Sequence, residues 1–201
     1  MKESQESIQT VRDARLFFRN ELTAAFDEVE VDPSEETEAY LVHLLEGFTR
    51  LDSTDASTMG FDEPAAYMLG EAKQAPGGER ISSYRRLGDA SLFNCGFFEG
   101  YLDRRLVDPS YYQDMGRLAY HKLSELLSFK QSDPNSAFQS IFGELAVDFD
   151  RVVAAFQHLG RRIDPDRVSV PESLQEDEGE SSGRESLERV ARKLGPGNSD
   201  D

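Results

Sequence analysis

The chain has 201 residues, 38% hydrophobic and 10% aromatic, the length of one ordinary domain with enough apolar side chains for a core. Its 39 acidic residues against 22 basic ones give a formal charge of −17, which repels phosphate backbones and argues against nucleic-acid binding. Residues 1–6 hold no basic stretch leading into an apolar run, no run of ~18 apolar residues occurs, and the lone Cys95 has no internal disulfide partner, so the expectation is a cytoplasmic, non-membrane protein.

Taken from the start, Ile8, Val11, Phe18, Leu22, Ala25 and Val29 fall on one face of a 3.6-residue period and predict a first helix, with Arg15 as a polar interruption of that face. Asp32-Pro33 then offers an N-cap acceptor before a proline suited to the first helical position, with Glu35 three residues after the cap. The second helix so predicted carries Tyr40, Leu41, Leu44, Leu45, Phe48 and Leu51, and stops near Leu51, where Asp52-Ser53-Thr54-Asp55 competes for the backbone. A shorter, peripheral helix is expected over 62–74. Gly77-Gly78-Glu79-Arg80 lacks the lysine of a phosphate loop and reads as a connector.

Residues 81–106 differ from the rest, because Leu87, Leu92, Phe93, Cys95, Phe97, Phe98, Tyr101 and Leu102 point in nearly every helical direction. A helix apolar all round is buried on most sides, which places this one at the centre. Asp108-Pro109 and Asp133-Pro134 repeat the helix-start signal before periodic stretches at 109–130 and 135–160. In the second of these, Phe138, Ile141, Phe142, Leu145, Phe149, Val152, Val153, Phe156 and Leu159 form a wide core-facing stripe. The fold predicted is all-α: a helical bundle of about five to six helices around a mostly buried central helix, over residues 1–163.

From 164 to 201 the composition turns acidic and poor in apolar residues, as in 174–183, and predicts a disordered tail. Within it Leu187, Val190, Ala191 and Leu194 stand at i, i+3, i+4 and i+7, with Ser182 and Glu185 as a capping box. The segment 184–194 is therefore a short amphipathic helix that would fold against a protein partner.

Chemistry is sparser. Asp89 is an acid inside a segment expected to be buried, so it must be paired, hydrogen-bonded or neutralised. Arg85 and Arg86, four and three residues earlier, offer a local ion pair. The alternative is a pocket in which Asp89 faces Tyr112, Tyr120 or His121 and binds a ligand or acts as a base. Tyr112, Gly116 and Tyr120 share a helical face, and the missing side chain at Gly116 leaves a notch for a neighbouring helix or a ligand. Gly88, Gly96 and Gly100 each cost about 1 kcal/mol relative to alanine, which close helix packing would offset. His43, His121 and His158 form no metal-binding spacing, and Cys95 lies in apolar surroundings that keep a thiol unreactive, so no metal, cofactor or catalytic set is assigned.

The excess of acid, with arginine favoured over lysine, resembles proteins of salt-adapted organisms. The run Leu87-Gly88-Asp89 to Leu92-Phe93 and Gly96-Phe97-Phe98, then Tyr111-Tyr112, Met115-Gly116 and Ala119-Tyr120, resembles an uncharacterised family of bacterial all-helical proteins over residues 8–160. That resemblance implies a common helical fold and brings no reaction with it. The readings of function rank as follows: a non-catalytic interaction protein, a small-molecule-binding domain around Asp89, Tyr112 and Tyr120, and a hydrolase-like enzyme using Asp89 and His121.

Overall fold

Seven α-helices make up the regular structure of the described residues of the computed structural model, which are 2–49, 63–97, 109–128 and 136–163. They are α1 (Lys2–Glu28), α2 (Glu35–Thr49), α3 (Ala65–Gln74), α4 (Gly77–Phe97), α5 (Pro109–Ser128), α6 (Ser136–Val147) and α7 (Phe149–Ile163). The chain is thus all-α, as its periodicity predicts. Leu51, Gly100, the Asp133-Pro134 start signal and the whole segment 164–201, with Leu187, Val190, Ala191 and Leu194, lie outside the described residues.

The helix count exceeds the expected five to six partly because the last stripe is two helices. They meet in a bend at Asp148, across which the backbone bonds Asp148 N–H to Glu144 and Val152 N–H to Asp148 continue. The stripe is buried from Ile141 to Leu159, but its first member, Phe138, is 45% exposed and only stacks on Phe142.

α4 is the central helix. It packs against α3, α5 and α7, and Leu87, Leu92, Phe93, Cys95 and Phe97 are all buried along it. Phe93 and Phe97 stack with ring centroids 5.5 Å apart, and Phe156 of α7 meets both edge-on. Gly96 permits this, since a Cβ there would collide with Phe156. The first turn of α4 is built from Gly77-Gly78-Glu79-Arg80, which is therefore helix and not the expected connector. Gly77 takes a positive φ of 42°, and Glu79 N–H bonds Pro76, so a residue free of the Cβ penalty allows the helix to start directly after α3.

The cap of α2 also differs from the sequence expectation. Ser34, not Asp32, stands before the helix: its Oγ accepts from Thr37 N–H at 3.3 Å and its carbonyl from Glu38 N–H at 2.9 Å. α1 closes with Val31 N–H on Phe26 and Glu30 N–H on Asp27, the paired bonds of a Schellman ending, with Glu30 left-handed at φ 54°.

α1 lies across α2 and α7, burying Phe18, Leu22, Ala25 and Phe26. Arg15, the interruption in its apolar face, turns to α2 and binds Glu46 through Nε at 3.1 Å and Nη2 at 2.9 Å. On its other side Glu21 meets Arg162 at 2.9 Å, and Glu28 meets His158 at 2.5 Å. α1 and α7 therefore run antiparallel, with Arg162 and His158 of α7 set against Glu21 and Glu28 of α1.

Candidate functional site

Three helices converge on Asp89. The hydroxyls of Tyr40 on α2 and Tyr120 on α5 both donate to its Oδ1, at 2.7 and 2.8 Å. Its Oδ2 has Arg85 Nε at 3.9 Å, one turn back on α4, a long ion pair rather than a hydrogen bond. Arg86 takes no part in it: Nη2 is 2.8 Å from Glu63 and Nη1 is 3.7 Å from Glu71, tying α4 to α3. Of the local ion pair read from spacing, only the Arg85 half forms, and weakly.

The approach of Tyr120 depends on the residue next to the acid. A Cβ at Gly88 would lie 2.5 Å from Cε1 of the Tyr120 ring, so glycine there lets the ring lie flat on α4 and its hydroxyl reach Asp89. Phe142 of α6 stacks on the far side of that ring at 5.7 Å and meets Tyr40 edge-on at 5.2 Å. The two phenols are held by apolar packing and spend their polar ends on one oxygen.

The electrostatics follow from burial. It pushes the Asp89 carboxyl up to about 6 from 3.8, against the opposing pull of the hydrogen bonds from Tyr40 and Tyr120 and of the Arg85 charge. Burial, followed by the nearby Asp89 charge, holds both tyrosines well above their ordinary range, so they remain neutral donors. The Asp89 side chain is nevertheless 13% exposed. A partly exposed carboxyl that titrates near 6 is capable of binding a donor or accepting a proton near neutral pH.

The other residues singled out in the sequence are distributed differently. Tyr112 is buried and meets Tyr111 edge-on at 5.8 Å. The notch at Gly116 is filled: the Phe149 ring occupies the space a side chain or ligand would take, with Ser91 Cβ also close. Gly116 is therefore a helix-packing position, a correction to its reading as part of a ligand pocket. His121 is 61% exposed and pairs with Glu125 at 3.3 Å, because it follows the inward Tyr120 by one residue and so points about 100° away. No hydrogen bond or ion pair joins His121 to Asp89.

Tyr40 is the member of the site that sequence reasoning missed. It was readable only as one apolar position in the α2 stripe, and nothing in spacing announces that its hydroxyl meets an acid 49 residues later. Two further acids are built into helix contacts. Glu144 of α6 accepts from Ser34 N–H at 2.8 Å, from Ser34 Oγ at 2.6 Å and from the Thr37 hydroxyl, so it covers the N-terminus of α2. Glu46, 1% exposed, is held by Arg15, with His43 at 3.6 Å.

Among the described residues no three His, Cys, Asp or Glu side chains are gathered as metal ligands, and no helix is long and apolar enough to cross a membrane. No family model, curated protein or solved structure matches the chain. The resemblance to the bacterial helical family stands as an expectation of the sequence.

Proposed function

We propose that this chain is a non-catalytic helical interaction protein, in which the bundle is a rigid body and residues 184–194 are a contact element. The observation that supports it most is on α1, where Leu16 and Phe17 stand side by side, 60% and 45% exposed, on a helix whose opposite face is fully buried. Adjacent large apolar side chains in water are costly unless something covers them for part of the time. The inward acids have packing roles by contrast, joining α2, α4, α5 and α6 through Asp89 and Glu144.

The test is stoichiometric co-purification from native cells followed by reconstitution with the purified partner. Full-length protein should retain a partner that Leu187→Ser/Leu194→Ser loses. Equal retention by both would take the C-terminal segment out of the reading.

A second reading is a small-molecule site at Asp89, Tyr112 and Tyr120. What favours it is the Asp89 carboxyl, 13% exposed and with only the long Arg85 pair on Oδ2, beside the oriented phenols of Tyr40 and Tyr120. Native mass spectrometry decides it: a bound mass lost on denaturation and in Asp89→Asn supports the site, and a bare chain mass counts against it. The hydrolase-like reading has no comparable support, because His121 is engaged by Glu125 on the outer face.

A further inference from the structure

The outer face of α1 can be mapped residue by residue. Arg15, Arg19 and Thr23 turn toward α2, where they meet Glu46 and Glu38. Glu21 and Glu28 turn toward α7, and Phe18, Leu22, Ala25 and Phe26 turn into the core. At about 100° per residue, Leu16, Phe17, Asn20, Ala24 and Asp27 fill the remaining arc, facing away from α2 and α7. The strip is apolar at one end and acidic at the other, where Asp27 is joined by exposed Glu30. The two arginines beside it are already matched by acids of α2.

The path of the chain leads to this strip. His158 sits opposite Glu28 and Arg162 opposite Glu21, so α7 climbs antiparallel along α1 in the direction of Phe17. Its last residue, Ile163, follows Arg162 directly and so releases the chain near the Glu21 level of α1, midway along the strip. Residues 164–183 then form a 20-residue connection, which as a flexible coil spans about 25 Å. The strip from Leu16 to Asp27 is about 17 Å long, so residues 184–194 reach all of it without strain.

The chemistry of 184–194 fits. Leu187, Val190, Ala191 and Leu194 supply one apolar face, while Arg184, Arg189, Arg192 and Lys193 outnumber Glu185 and Glu188. A basic stretch in a chain of net charge −17 is attracted to its own acidic body.

We propose that residues 184–194 dock as an amphipathic helix on the strip Leu16–Phe17–Asn20–Ala24–Asp27 of α1 in the same molecule, apolar face on Leu16 and Phe17 and cations toward Asp27 and Glu30. The proposal rests on the reading of 184–194 as a contact element and gives that element its resting place. A partner of this segment would then compete with α1 for it.

The experiment places a nitroxide on the full chain at Ser186→Cys, Cys95 being buried and shielded from labelling, and reads amide signal intensities by NMR. Signals of residues 16–27 should lose intensity, and recover on reduction of the label, in Leu187→Ser/Val190→Ser/Leu194→Ser, in Leu16→Ser/Phe17→Ser, and at high salt as screening weakens the charge pairing. Loss spread evenly over the bundle, or centred on another helix, would overturn the docking. So would loss that persists when nitroxide-bearing chains are mixed with separate isotope-enriched chains that carry no label, since that reports a second copy. The co-purification test fails independently: α1 signals lost with no partner recovered keep the docking and remove the interaction function, and the reverse pattern does the opposite.

Discussion

Gly88 and Tyr120 share one volume: a Cβ on the glycine would stand 2.5 Å from Cε1 of the tyrosine ring, which is fully buried and stacked on Phe142. Because the ring has packed neighbours on its other faces, it cannot swing aside at low cost. Gly88→Ala should therefore destabilise the bundle by about 2–4 kcal/mol despite the better helix propensity of alanine, combining overpacking with a weakened bond to Asp89. Urea denaturation of the variant checks it. An unchanged or higher midpoint would mean that α4 and α5 are not in such close contact.

Asp89 gives a pH dependence whose sign can be worked out. Its carboxyl titrates near 6 in the fold and near 3.8 when unfolded, so between these values the folded state binds more protons. This group's contribution to stability falls as pH rises from about 4 to about 6, then levels. Asp89→Asn keeps an acceptor for Tyr40 and Tyr120 and removes the buried charge. It should match the wild type near pH 4 and exceed it by on the order of 2 kcal/mol at pH 7. Asp89→Ala, which strands two buried hydroxyls, should instead be less stable by about 2–4 kcal/mol. Denaturation midpoints at several pH values separate the two, and a pH-independent gap for Asp89→Asn would contradict the buried-charge account.

Glu144 should show the opposite sign. Burial is the largest single influence and raises its carboxyl, but the bonds from Ser34 and Thr37 together outweigh it and hold it below 4.5. The stability it contributes is present above the unfolded value and is lost as pH falls through the folded one. Glu144→Gln should cost about 1–3 kcal/mol at pH 7, because the charged acceptor at the start of α2 is lost, and less as the wild type acidifies. The check is the difference in unfolding free energy between pH 7 and pH 3, which should shrink.

The helical architecture was legible because period and punctuation agreed. Phe18, Leu22 and Ala25, the all-round apolar run from Leu87 to Phe97, and the stripe from Ile141 to Leu159 are buried where their spacing put them. Half of the candidate site was legible too: an acid in a buried run needs partners, and Tyr120 lay on the neighbouring helix face. Tyr40 was not, since a phenol in an apolar stripe looks like core until the tertiary fold aims its hydroxyl. Spacing also overvalued Arg86, which reaches Asp89 along the helix but is turned to Glu63 by the packing of α3. Gly116 shows the same limit, because its open face was visible and the Phe149 ring that fills it was not.

Arg15 and Glu46 turn an apparent flaw in the first helix into a prediction. Arg15 breaks the apolar spacing of α1, yet it is the cation that accompanies a carboxylate only 1% exposed on α2. Removing the arginine takes the Nε and Nη2 donors away from that carboxylate. Arg15→Met should cost about 1–2 kcal/mol at neutral pH, because the guanidinium lies largely in water and solvent screens part of the loss. Arg15→Met/Glu46→Leu removes both charges and should regain most of the loss, since an apolar side chain can take the place of the buried carboxylate. A double variant no more stable than the single one would show that the charge is not what α1 and α2 lose. The single and double variants, with Glu46→Leu completing the cycle, measure the coupling directly by denaturation.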